Sequence, residues 1–118
     1  MASYSRQLLS GSTNGKPIKI VATATAGTTV HTAIAGTSAF DEIYLWLTNT
    51  DTVARTVTIE FGGVTSPDQH IVDTYTLPAN SPPIPILTGQ VLQNGLVVGV
   101  FASAANVVIA SGYVNRIQ

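Results

Sequence analysis

The residues best suited to chemistry in this chain are few. Asp68, His70 and Asp73 set two carboxylates and an imidazole within six positions of a polar stretch. That spacing is compatible with a divalent ion, but loop metal sites use more oxygen ligands than this supplies. The sequence favours a solvated loop entering a strand, so no metal ligand is assigned. The other imidazole, His31, stands between Val30 and Thr32. It reads as a partly exposed strand position or a contact across a subunit boundary. Asp41 and Glu42 are adjacent. Neighbours in a strand face opposite ways, so they do not form an acid/base pair of the glycosidase kind. Glu60 is a lone carboxylate in a strand and is expected on an exposed face.

Nucleophilic catalysis needs a nucleophile, a base and an orienting group in contact. Serines and threonines abound, but the chain has only 2 His, and no G-x-S-x-G elbow occurs. Gly15-Lys16-Pro17 has neither the spacing nor the hydroxyl of a phosphate loop. No catalytic residue, cofactor or metal is expected. Tyr44 and Trp46 share one strand face. They suit a protein interface or, as an alternative, stacking on a sugar.

The elements that must position these residues are strands. The 118 residues contain 16 Thr, a β-branched residue that favours strands. Period-two alternation marks Glu42–Thr48, where Ile43, Leu45 and Leu47 oppose Tyr44, Trp46 and Thr48. Further strands are predicted over 17–23, 28–34, 55–61, 71–77, 90–93, 96–102 and 107–115. Those over 42–48 and 55–61 are expected to pair as a hairpin through Asn49–Thr52. The strands over 90–93 and 96–102 are expected to pair around Asn94-Gly95, which suits a tight turn. The segment 78–85 carries Pro78, Pro82, Pro83 and Pro85, so it belongs on a sheet edge or in an extended loop. About eight strands, spaced about 8–12 residues apart, predict an all-β antiparallel sandwich, with the jelly roll among the fitting arrangements. Residues 1–15 read as a polar N-terminal arm and 16–118 as a single sandwich domain.

Charged residues make up 9% of the chain and the formal net charge is -1. Average soluble domains carry roughly 25% charged residues. A surface so poor in charge predicts burial against other subunits, hence a homo-oligomer, the alternative being a monomer kept soluble by its hydroxyls. The 5 Lys and Arg are scattered, so nucleic acid is not an expected partner. No apolar run has the length of a membrane span, and no signal peptide is read at the N-terminus. With Cys 0, disulfides and thiolate metal sites are excluded.

Several stretches, taken in order, carry a resemblance. They are Gly15-Lys16-Pro17-Ile18-Lys19-Ile20, Thr28-Thr29-Val30-His31-Thr32-Ala33, Asp41-Glu42-Ile43-Tyr44-Leu45 and Ile59-Glu60-Phe61-Gly62-Gly63. Asn94-Gly95-Leu96-Val97-Val98, Ala105-Asn106 and Gly112-Tyr113-Val114-Asn115-Arg116 complete the set. The chain resembles small structural proteins of tailed-phage virions, similar in kind to capsid decoration (cement) proteins. The resemblance implies a trimer on the capsid surface, assembled in the host cytoplasm, with the major capsid protein or another virion protein as partner. A tail, fibre or head–tail connector part is the alternative within that group. The expected interface residues are Tyr4, Leu8 and Leu9 in the arm, Tyr44 and Trp46 on the sheet, and Pro82, Pro83 and Pro85. On this reading, removing residues 2–14 weakens binding without unfolding the domain.

Overall fold

The computed structural model describes residues 3–118. They form nine strands: β1 Tyr4–Leu8, β2 Ile18–Lys19, β3 Thr28–Thr32, β4 Phe40–Asn49, β5 Arg55–Phe61, β6 His70–Leu77, β7 Ile84–Leu92, β8 Val97–Ala102 and β9 Val108–Ile117. One sheet runs β1-β9-β4-β7, with the two-residue β2 also on β9. The other runs β3-β8-β5-β6. All pairings are antiparallel. β1 and β2 lie end to end along β9, at residues 113–117 and 109–110. Counted together as one broken first strand, they give eight strands in the jelly-roll order, with the chain passing from sheet to sheet at nearly every turn.

The core lies between the sheets because alternation aims one face of each strand inward. In β4, Ile43, Leu45 and Leu47 are fully buried while Tyr44, Trp46 and Thr48 are partly exposed. They meet Val57 and Ile59 of β5, Val98 and Val100 of β8, and Val108, Ala110 and Val114 of β9 in one apolar cluster. Leu9, just past β1, and Ile20, just past β2, belong to it.

Three expectations are corrected. The first concerns the arm over residues 1–15. Residues 1 and 2 lie outside the described residues, but β1 is a full sheet strand and Leu9 is a core residue at 1% exposure. Main-chain bonds join the ends of β1 and β9, from Ser3 N to Gln118 O at 2.5 Å and from Gln118 N to Ser3 O at 3.0 Å.

The second concerns β4 and β5, which do not form a hairpin: β4 pairs with β7 and β9, β5 with β6 and β8. Their connection crosses the sandwich, anchored by the buried Asn49. Its side-chain amide donates to the carbonyls of Val53 (3.0 Å) and Pro78 (3.1 Å), and its main-chain N–H donates to Ser81 Oγ (3.0 Å).

The third concerns β7 and β8, which also sit in different sheets. Asn94 and Gly95 do have positive φ, 63° and 69°. That turn is held by the β3–β4 connection instead of by a hairpin partner, since Asn94 N–H donates to Gly36 O and Gly95 N–H to Ile34 O. The proline-bearing strand β7 is an edge strand, as proline requires.

Candidate functional site

The outer face of the β1-β9-β4-β7 sheet gathers most of the residues expected at an interface. Tyr44 is paired directly with Tyr113 on the neighbouring strand, and Trp46 with Ser111. The Tyr44 and Tyr113 rings stack with centroids 4.9 Å apart and planes at 17°. Trp46 and Tyr113 stack diagonally at 6.1 Å and 30°. On the other side of β9, the Arg6 guanidinium lies 4.5 Å from the Tyr113 ring centroid. The result is a row running Arg6, Tyr113, Tyr44 across three strands, with Trp46 beside it.

Tyr4 and Leu8 extend this face along β1, because they pair with Ile117 and Tyr113. They are 74% and 56% exposed. Pro85, opposite Trp46, and Val91, opposite Glu42, extend it along β7. The strands' charged residues on this face are Arg6, Lys19 and Glu42, by the register of their pairs. Thus five expected residues, Tyr4, Leu8, Tyr44, Trp46 and Pro85, come together. Pro82 and Pro83 are exposed just ahead of β7. Leu9 does not join them, since its side chain turns into the core.

The stacked geometry limits what this face can bind. A sugar platform offers a free ring face. Tyr113 is covered on one side by Tyr44 and on the other by Arg6, and Gly89 of β7 closes on Tyr44: a Cβ added there would lie 3.3 Å from the Tyr44 hydroxyl. Neither face of the Tyr113 ring is left open for a sugar, and the Tyr44 hydroxyl lies against β7.

The titratable residues singled out in the sequence go elsewhere. His31 is buried at 1% exposure, which corrects the expected exposed position. A β-bulge between Thr29 and His31 breaks the alternation, so Val30 and His31 both turn inward. His31 Nδ1 accepts from the Ser10 N–H at 3.0 Å, so Nε2 carries the proton and donates to Asp41 Oδ2 at 2.7 Å. Asp41, fully buried, also accepts from Arg116 Nε at 2.8 Å, from a second Arg116 nitrogen at 3.1 Å and from Ile34 N–H at 3.2 Å. Burial pushes the Asp41 carboxyl up, but the bonds and charges of Arg116 and His31 outweigh it and hold the group below its ordinary value. The same bond raises Arg116 above the usual arginine value. With both ring nitrogens engaged, His31 ties the segment after β1 to β3 and β4 and has no free base position.

Glu60 is 2% exposed, which corrects a second expectation. Alternation does place it on the outer face of the second sheet, but the segment before β3 covers it. Thr25 Oγ1–H donates to Oε2 at 2.5 Å and Gly27 N–H to Oε1 at 2.6 Å. Asp68 is exposed, and Asp73 bonds locally to the Thr74 hydroxyl. Among the described residues, no group of three or more His, Cys, Asp or Glu could hold a metal ion.

No known protein family, curated protein or solved structure matches this chain.

Proposed function

We propose that this protein is a structural component of a phage virion, a capsid decoration protein that docks on the assembled shell and stabilises it. The observation that supports this reading is the charge-poor aromatic face of Tyr4, Leu8, Tyr113, Tyr44, Trp46 and Pro85, which runs across β1, β9, β4 and β7. It joins the resemblance of the ordered motifs to small virion proteins and a jelly-roll order that viral capsid domains also use. Fold alone does not assign function, so the face is what the test addresses.

The mechanism is linkage. A protein that binds only the assembled lattice shifts the assembly equilibrium by its binding free energy. In a homotrimer, three weak faces act together and each raises the effective concentration of the next. The rigid aromatic row supplies contact area at little entropic cost, since its rings are already held in place by stacking.

The experiment adds purified protein to undecorated capsids of the phage that encodes it and counts copies per particle. A count on the scale of the capsid lattice is expected, with binding lost in Trp46→Ala. A count matching a single ring would move the protein to the tail or connector. Binding unaffected by Trp46→Ala and Tyr4→Ala together would remove this face from the mechanism.

A further inference from the structure

On the far side of the sandwich, the outer face of the β3-β8-β5-β6 sheet holds a cleft of about 260 Å³. This is smaller than the roughly 300–1,000 Å³ of sites for drug-sized ligands, and suits a group the size of one side chain. Its walls include the backbones of Gly27, Gly62, Gly63 and Gly99, so main-chain atoms face the space. Val64, Leu96 and Val97 line it with apolar surface, and each is partly open to solvent at 38–45% exposure. One charged side chain, Glu60, lines it as well.

Glu60 is under-neutralised for a buried carboxylate. Its two hydrogen bonds both come from neutral donors, Thr25 and Gly27. A carboxylate has about four lone-pair sites, so about two remain. Among the described residues, the arginine ion pairs are Arg55–Asp51 and Arg116–Asp41, neither of which involves Glu60. The nearest imidazole nitrogen, His70 Nε2, is 3.9 Å from Oε2, an ion pair only when the ring is protonated and beyond hydrogen-bond distance, and it bonds to the Val64 carbonyl at 3.2 Å. The other nitrogen of that ring, Nδ1, is buried without a partner. Buried charge of this kind is normally paired.

We propose that this cleft binds a primary alkylammonium group, with Glu60 as its counter-ion and Val64, Leu96 and Val97 packing its aliphatic stem. A divalent metal would need more oxygen ligands than one carboxylate supplies. A guanidinium fork asks for two carboxylate oxygens aligned with its two donors, whereas an ammonium needs only one. An ammonium is compact and can place a donor on a single carboxylate oxygen. Free amines and lysine side chains share this chemistry.

The test is a titration followed by the amide resonances of Gly27, Gly62, Gly63 and Gly99, with n-butylammonium and Nα-acetyl-lysine methylamide as probes. Saturable shifts at millimolar concentration are expected from at least one probe, with none from butyrate or n-butanol. Response to both probes assigns the site to alkylammonium in general; response to the lysine derivative alone assigns it to lysine side chains. Glu60→Gln should weaken binding by about tenfold or more. Val97→Trp, at a solvent-open position, should block the cleft without touching Glu60. Absence of saturable shifts from both probes, equal shifts from n-butanol, or unchanged binding in Val97→Trp would overturn the proposal. The cleft lies on the opposite sheet from Trp46, so loss of capsid binding and loss of amine binding are separate outcomes.

Discussion

Asp41 ties three strands together, because its carboxylate on β4 binds His31 of β3 and Arg116 of β9. Removing its carboxylate strands a guanidinium and leaves a buried imidazole proton without an acceptor. Breaking a buried pair in this way costs about 3–5 kcal/mol, so Asp41→Ala should lower the urea midpoint steeply. The same residue sets an acid limit. Its folded value lies below the ordinary 3.8, so in acid the unfolded chain binds the proton first. The stabilisation is therefore complete above about pH 4 to 5 and drains away as the pH falls toward the folded value. Asp41→Asn should flatten the dependence of the urea midpoint on pH in that range; an unchanged slope would show that other carboxylates govern it. His31 and Glu60 were the residues the sequence concealed. A bulge turned one inward, and a covering segment from elsewhere in the chain buried the other. Neither event leaves a trace in local alternation. The row of Tyr44 and Trp46 was legible, whereas its partners Tyr113 and Arg6 depended on which strands became neighbours. Trp46 is the only tryptophan, so Tyr113→Ala should alter its emission and cost about 1 kcal/mol of stacking.

At the scale of elements, alternation was a good guide wherever one face was buried. β5 spans Arg55–Phe61, as expected, and β4 exceeds its expected range by two residues at the start and one at the end. β1 was missed because its sequence, YSRQL, has little apolar signal. Its burial is half-hearted, and the core residue it delivers, Leu9, follows the strand. Hairpin turns and inter-sheet crossings draw on the same Asn, Asp, Thr and Gly residues. Turn chemistry therefore located the β4–β5 and β7–β8 connections without revealing their direction. Deleting residues 2–14 is now expected to destabilise the domain, since it removes an edge strand and a core leucine; an unchanged thermal midpoint would return β1 to the status of an arm. Gly112 is a sharper probe of the central pair. Its φ is 153°, and an added Cβ would overlap the Tyr44 carbonyl across β4 and β9. Gly112→Ala should cost about 2 kcal/mol or more, read in denaturant unfolding.

Taken whole, the molecule is a flattened body, 48 × 28 × 20 Å along its principal axes, with different chemistry on its two broad sides. One side carries the aromatic row and the other the glycine-lined cleft. Light scattering behind a sizing column should give the mass of a trimer if the sparse surface charge reflects subunit contacts. A monomer would mean that hydroxyl groups alone keep the surface soluble. A different consequence follows from the bonds between Ser3 and Gln118, which bring residues 3 and 118 to one corner on antiparallel neighbours. Tethers attached there and pulled apart would load the β1–β9 hydrogen bonds one after another, as a zipper opens. In a single-molecule stretching experiment, β1 should peel away first and at low force. The domain would be mechanically soft at its ends however stable its core is to heat or denaturant.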